Sequence, residues 1–177
     1  MLASPGSIQS RFEERLSRVL ATTSAVAGDD VRDEVSAVLA RNGVGAWLAA
    51  PGLPAAWVPD GAVETAAYLA LAEETHLDRL GCVEAGILGV AETGSVLTAG
   101  PPEVRRLAML ADVQVLVVRE EDLVPTLDEA AAHVSAMSPA PPHLSFVTGA
   151  SRSSDIERTL AIGVHGPAVV HVLVVRR

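Results

Sequence analysis

Two stretches of this chain are almost wholly apolar and rich in valine, and they limit the folds it can adopt. They read VQVLVV at residues 113–118 and AVVHVLVV at residues 168–175. Strands of this kind have no polar face, so they are typical of parallel sheets buried on both sides. Helical patterns alternate with them, with apolar residues at helical spacing in residues 8–20 and 31–40. The sequence therefore predicts an α/β fold with a mainly parallel sheet flanked by helices.

The remaining segments fit the same plan. Residues 83–100 are predicted to form two short strands joined by a tight turn at residues 92–94. These strands would form one antiparallel pair in the otherwise parallel sheet. Residues 22–30 are predicted to be a loop. Further helices are predicted at residues 62–74, 103–110, 126–137 and 154–161. We expect a single domain over residues 1–177, with a helical N-terminal part at 1–45 and an α/β core at 46–177.

Composition excludes several classes of function. The chain has 177 residues, a net charge of −9 and only 3% aromatic residues. General binding to nucleic acid or to anionic membranes is therefore not expected, because phosphate affinity needs lysine and arginine. Cys82 is the only cysteine, so this chain alone cannot form a disulfide or a cysteine-bound iron–sulfur or zinc site. The histidines lack metal-ligand spacing. Without a signal-peptide pattern or a run of 18 apolar residues, the expected location is the cytoplasm.

The first candidate site lies in TGASRSSDIERTLAIGVHGP, residues 148–167. It follows a predicted strand, and ligands of α/β sheets bind at the carboxyl ends of strands. Small residues allow close approach, and the N–H groups of a helix beginning at Ser154 would favour an anion. The alternative is a capped helix without a ligand, because Ser154 and Glu157 are spaced as a capping box. The residues predicted to contact a carboxylate or phosphate are Thr148, Gly149, Ser151, Arg152, Ser154, Asp155, His165 and Gly166.

The second candidate site is GVAETGSV, residues 89–96. Glu92 can act there as a general base or bind a ligand hydroxyl, and the alternative is a polar hairpin tip. Glu84 lies among small apolar residues and is either a buried acid with a raised pKa or the exposed side of a strand. Of Arg105 and Arg106, we expect one to be solvated and the other to face inward. The predicted wall facing the first site comprises Glu92 as the catalytic candidate, with Thr93, Gly94, Ser95, Arg106 and His165 as contacts.

Two blocks of the chain, residues 90–118 and 144–175, resemble the signature blocks of the LUD domain family, and more closely the lactate utilisation protein C family. The resemblance covers residues 84–175 well, and the N-terminal half only by length and helical character. It departs from the family pattern in EAGILGV before the turn and in MLADV. The matching elements are residues 92–94, 106–107, 148–149, 151–152, 155–157 and 163–167.

The resemblance implies a fold similar to the NagB/RpiA/CoA-transferase superfamily and a role in oxidising L-lactate to pyruvate with two iron–sulfur partner proteins. No cofactor is then expected on this chain, since the clusters would lie in the partners. We therefore expect a non-redox subunit that binds a small hydroxy or keto acid, and a homodimer is possible. The alternatives are an autonomous enzyme binding a sugar phosphate or acyl-CoA, and a pure scaffold protein.

Overall fold

The computed structural model describes residues 6–73, 79–139, 141–150, 152–154, 160–162 and 166–176. Within these residues the α-helices are α1 Ile8–Arg18, α2 Val31–Arg41, α3 Thr65–Glu73, α4 Pro102–Leu110 and α5 Leu127–Ser135. The strands are β1 Ala21–Ala27, β2 Val44–Ala49, β3 Arg79–Val90, β4 Ser95–Ala99, β5 Val113–Arg119, β6 Leu123–Val124, β7 Leu144–Val147, β8 Arg152–Ser154, β9 Leu160–Ile162 and β10 Val169–Arg176.

Eight strands form one mixed sheet, in which β3 is the central element. The main order is β1-β10-β5-β3-β4-β7, and β2 and β6 also pair with β3. The pairs β1–β10, β10–β5, β5–β3, β2–β3 and β6–β3 are parallel, whereas β4 pairs antiparallel with β3 and β7. The predicted α/β fold with a mainly parallel sheet is therefore confirmed.

The central strands bury both faces, as their continuous apolar sequence predicts. On β10, Val170, Val172 and Val174 pack in a core with α1. The alternate residues Leu173 and Val175 pack in a second core with α2. Because successive side chains of a strand point to opposite faces, α1 and α2 cover opposite sides of the sheet.

Two predicted elements are wrong. Residues 22–30 are mainly strand, since β1 pairs in register with β10 from Ala21 to Ala27. The N-terminal part therefore contributes the edge strand β1 to the main sheet in addition to its helices. The helix predicted at residues 154–161 is also wrong at both ends, because β8 and β9 form an antiparallel pair with Ser154 opposite Leu160. A capping box is a local signal of about 1 kcal/mol, which strand pairing can outweigh.

Helix α1 packs directly on two glycine turns. Gly94 and Gly149 both adopt a φ of +70°, which residues other than glycine rarely adopt. A Cβ at Gly94 would lie 2.8 Å from the backbone carbon of Arg15 in α1. A Cβ at Gly149 would overlap the backbone oxygen of Val19, which follows α1. Both glycines were predicted to contact a ligand, and the close neighbour that each accommodates in the structure is the backbone of α1 or of Val19 after it.

We predict that Gly149→Ala lowers the free energy of unfolding by about 2–4 kcal/mol, from overpacking and left-handed strain together. Gly43 is a matched control because its φ is +67° but a Cβ there would meet no atom within 4 Å. Gly43→Ala should cost about 1 kcal/mol, from strain alone. Urea unfolding measures both values, and equal losses would contradict the packing role of Gly149.

Candidate functional site

A cavity of about 460 Å³ opens between the sheet and helix α4. Strands β3, β4, β5 and β7 contribute to its lining, together with α4 and with Gly166 and Pro167. Its volume falls in the range typical of small-molecule sites. The polar residues that line it are Glu84, Thr98, Arg105, Gln114, His143, Ser145 and Thr148.

The floor of the cavity carries a buried carboxyl group. Glu84 is 5% exposed and Gln114 is 3% exposed, and both line the cavity. Gln114 Nε2 donates a hydrogen bond to Glu84 Oε2 at 2.9 Å. Burial raises the pKa of Glu84 to about 7, and the hydrogen bond from Gln114 only partly opposes that shift. Glu84 can therefore both donate and accept a proton near neutral pH.

The position of Glu84 follows from the pairing of β3. On one edge, the register of β3 with β2 ends at Val83, opposite Ala49. The register of β3 with β4 on the same edge begins at Gly86, opposite Thr98. Glu84 and Thr98 thus line the cavity at the point where β3 exchanges one neighbour for another. Changes of strand order of this kind are common places for ligand sites in α/β proteins.

The mouth of the cavity combines a cation with apolar side chains. Arg105 of α4 is exposed and makes no ion pair with another described residue. His143 is exposed and also lines the cavity, and its carbonyl accepts a hydrogen bond from the Gly100 amide at 3.4 Å. Met109 and Phe146 also line the cavity, yet they are 50% and 49% exposed. A free arginine at such a mouth can bind a carboxylate.

The structure brings the two predicted turns together through a chain of hydroxyl groups. Thr93 Oγ1 lies 2.7 Å from Ser95 Oγ, and Ser95 Oγ lies 2.7 Å from Thr148 Oγ1. Thr148 and Gly149 line the cavity, as does Gly166. Thr93 and Ser95 therefore reach the cavity through Thr148 and do not themselves form its wall.

Two other predicted residues lie away from the cavity. Glu92 is exposed, and its carboxylate accepts a hydrogen bond from the amide of Leu127 at 3.1 Å, which satisfies the N-terminus of α5. This polar hairpin tip is the alternative that the sequence left open. Arg106 is exposed and does not line the cavity, whereas its neighbour Arg105 does. Adjacent positions on a helix point about 100° apart, which is consistent with only Arg105 lining the cavity.

The predicted anion site was expected to use the N-terminus of a helix beginning at Ser154, and that helix start is wrong. Arg152 and Ser154 belong to β8, so no helix begins at Ser154. Ser151, Asp155 and His165 lie outside the described residues, and their predicted contacts remain predictions.

Sequence reasoning missed Gln114 and Thr98. A signal for Gln114 was available, since it is the single polar residue in the run VQVLVV. A polar residue within a strand buried on both faces needs a hydrogen-bond partner. Glu84, among small apolar residues of the neighbouring strand, is that partner.

A second buried titratable group lies outside the cavity, on the side of the sheet covered by α2. His171 is 1% exposed, and its two ring nitrogens lie 2.8 Å from the hydroxyls of Thr22 and Ser24. Ser24 Oγ also donates to Glu34 at 2.9 Å. Burial, then the nearby Arg41 charge, lower the pKa of His171 to about 4. The ring is thus neutral near pH 7 and satisfied on both sides, which indicates a structural role.

Among the described residues, no three histidine, cysteine or acidic side chains are placed to hold a metal ion. No helix in the described part of the chain is long and apolar enough to cross a membrane.

Fold and site together define an α/β protein with a ligand-sized cavity at a strand junction. The chain belongs to the LUD domain family, whose model matches residues 10–175.

The chain is similar to curated relatives named Lactate utilization protein C. The relative from Deinococcus radiodurans is 32% identical over 127 residues, which are 70% of this chain and 59% of the relative. The relative from Geobacillus sp. strain WCH70 is 33% identical over 91 residues, 49% of this chain and 38% of the relative. The chain thus spans between about two fifths and three fifths of these relatives.

The fold is similar to that of a solved structure, the crystal structure of a DUF162 family protein from Deinococcus radiodurans. The TM-score is 0.69 at 20% sequence identity, and the match covers 98% of this chain and 99% of the other. Similarity at this identity establishes the fold alone.

We predict that Glu84→Gln removes a pH-dependent loss of stability. The carboxyl ionises near pH 4.5 in the unfolded chain and near pH 7 in the folded one, so its burial costs nothing below pH 4.5 and most above pH 7. Glu84→Gln should match the wild type near pH 4.5 and exceed it by about 3 kcal/mol above pH 8. Urea unfolding across this range measures the difference, with exposed Glu92→Gln as control. A difference independent of pH would contradict the buried acid.

Proposed function

We propose that this chain is the acid-binding, non-redox component of a cytoplasmic system for lactate use, and that its cavity binds a 2-hydroxy or 2-oxo acid. The observation that carries the proposal is the buried Glu84–Gln114 pair on the floor of a cavity whose mouth holds an unpaired Arg105. A buried carboxyl group with a raised pKa, placed in a cavity, is a common mark of a functional site.

The chemistry of such acids matches the lining. Their carboxylate would pair with the guanidinium of Arg105, which offers several N–H donors in one plane. Their second oxygen, a hydroxyl or a ketone, lies on the adjacent carbon. Glu84 in its protonated form would donate a hydrogen bond to a ketone, and in its ionised form would accept one from a hydroxyl.

The link to lactate comes from the relatives. Proteins named Lactate utilization protein C are about one third identical to this chain over the matched residues. We assign the redox centres to iron–sulfur partner proteins, because Cys82, the only cysteine, is buried and burial raises its pKa. A buried thiol in apolar surroundings is a poor metal ligand. This chain would then bind the acid while its partners remove the electrons.

The alternative substrates fit less well. A sugar phosphate or the phosphates of CoA would bring two or more negative charges. Among the described lining residues, Arg105 and His143 are the only side chains that can carry a positive charge. One fixed cation is suited to a single carboxylate. A pure scaffold would have no reason to bury Glu84 in a cavity at a cost in stability.

We predict that the purified chain binds lactate or pyruvate and that binding depends on Arg105. Arg105→Gln should weaken binding by about ten-fold or more, because it removes a charge-assisted hydrogen bond. Arg106→Gln is the matched control, since Arg106 is the adjacent exposed arginine outside the cavity. Isothermal titration calorimetry measures both. Equal affinities in the two variants, or no binding by the wild type, would contradict the proposal.

We predict that deleting the gene prevents growth of the source organism on L-lactate as the sole carbon source. A copy carrying Arg106→Gln should restore growth, whereas a copy carrying Arg105→Gln should not. Growth of the deletion strain at the wild-type rate would refute a role in lactate use. Restoration by both variants would indicate a scaffold and not an acid-binding subunit.

A further inference from the structure

We infer that two copies of this chain associate through strand β1, Ala21–Ala27, which pairs antiparallel with its own copy across a two-fold axis. The inference is independent of the proposed function, because β1 contributes no residue to the lining of the cavity. Three features carry it: the regular edge of β1, the exposed Leu20 beside that edge, and the opposite charges at its two ends.

The outer edge of β1 is long, regular and uncharged. β1 pairs with β10 on one side, and no other described strand pairs with it. Its sequence ATTSAVA contains no charged residue and no proline, and its register with β10 has no irregularity over seven residues. Native proteins protect such edges with charges, proline, a bulge or a covering element, because the unpaired N–H and C=O groups bind other strands.

The other edge strands of the described sheet are protected in these ways. β7 has only four residues and β6 only two, so neither presents a long edge. β2 has a register shift between Val44 and Ala46. Its Leu48 packs in one cluster with Tyr68 of α3, which covers it. β1 is therefore the described edge strand best suited to pair with a further strand.

Leu20, directly before β1, is the second feature. Its side chain is 46% exposed, and its φ of +60° lies in the left-handed region, where chains leaving a helix usually have glycine. Leu20 and Gly28 are each four residues from Ser24, so pairing centred on Ser24 sets Leu20 opposite Gly28 of the second copy. A Cβ on Gly28 would meet only the Val175 side chain, at 4.0 Å. The open space there receives the Leu20 side chain, which pairing covers.

The two ends of β1 carry opposite charges. Arg15 and Arg18 are exposed in the last turn of α1, just before β1. Asp29 and Asp30 are exposed directly after β1, and neither makes an ion pair with another described residue. Antiparallel pairing sets the basic end of each copy beside the acidic end of the other, with the strands about 5 Å apart. Opposite charges in facing positions favour that orientation over a parallel one.

The middle of the strand brings no unpaired charge to the two-fold axis. Ser24 Oγ donates a hydrogen bond to Glu34 at 2.9 Å, and Glu34 is paired with Arg41 at 3.2 Å. Each chain has a net charge of −9, so like charges oppose association over most of its surface. An uncharged strand with complementary ends avoids that repulsion, which favours a second copy of this chain as the occupant of the edge.

Sedimentation equilibrium of the full chain from about 1 to 100 µM tests the association, because the dimer fraction depends on concentration. We expect a mass twice that of one chain at the upper end of this range. Leu20→Lys should weaken association by about ten-fold or more, because a charge replaces an apolar side chain that pairing covers. Leu127→Lys is the matched control, since Leu127 is 43% exposed and lies on α5. It should leave the association unchanged.

Charge reversal tests the antiparallel orientation. Arg18→Asp and Asp30→Arg should each weaken association by about five-fold, because each sets like charges beside one another in the dimer. The double variant should return to within about two-fold of the wild type. Arg18 and Asp30 lie beyond opposite ends of β1 within one chain, so this rescue requires that they meet between copies. Urea unfolding of each variant checks that the fold is retained.

The remaining outcomes are each decisive. A monomer at every concentration would overturn the inference, and masses that grow beyond two copies would contradict a closed two-fold pair. A dimer that keeps its affinity in Leu20→Lys and in both single charge reversals would use another surface, which also overturns it. Hydrogen exchange of the β1 amides should be slower at about 100 µM than at about 1 µM. Equal exchange rates in a chain that dimerises would refute pairing through β1.

Discussion

The candidate site depends on one strand that serves two parts of the sheet. β3 pairs with β2 and β5 through its first half and with β4 and β6 through its second. The exchange of β2 for β4, which is complete at Gly86, lies beside the cavity that α4 also lines. Glu84 lies immediately before that exchange, and so it is held by a central strand and yet faces a cavity. Side chains on a central strand are positioned more rigidly than side chains on loops, which is what a binding site requires.

Much of this arrangement could be predicted from sequence, because apolar strands and helical stripes are local patterns. The meeting of the Glu92–Gly94 turn with Thr148 could also be predicted, since strand ends gather at one edge of a sheet. Strand β1 could not, because its polar residues Thr22 and Ser24 resemble a loop until their hydrogen bonds to His171 are known. The sequence also could not show which of Arg105 and Arg106 faces the cavity, because that depends on the rotation of α4 about its axis. The helix predicted from Ser154 failed because a capping signal says nothing about a strand partner six residues later.

The two buried titratable groups, His171 and Glu84, change the stability of the fold with pH in opposite directions. His171 is enclosed by hydroxyls on both ring nitrogens and lies in a part of the core that α2 covers, so its neutral form is stabilised by its surroundings. Because its pKa falls from 6.5 to about 4 on folding, it reduces stability as pH decreases through that range. Glu84 reduces stability as pH increases through 4.5 to 7. Its carboxyl has Gln114 as a partner and a cavity beside it. A group that destabilises the fold at neutral pH while facing a cavity is better explained by binding than by packing.

Ligand charge and the protonation of Glu84 are also coupled. The chain carries a net charge of −9, which repels anions at long range, so an acid must be held by local interactions. With Glu84 protonated, the charge of Arg105 in the lining is uncompensated. With Glu84 ionised, its negative charge offsets that of Arg105, and an anion binds less favourably. On the proposed function, an acid would therefore bind the protonated form more tightly, and by thermodynamic reciprocity its binding would raise the pKa of Glu84 further. A bound acid would thus hold Glu84 in the form that donates a hydrogen bond, which is the form a 2-oxo group requires.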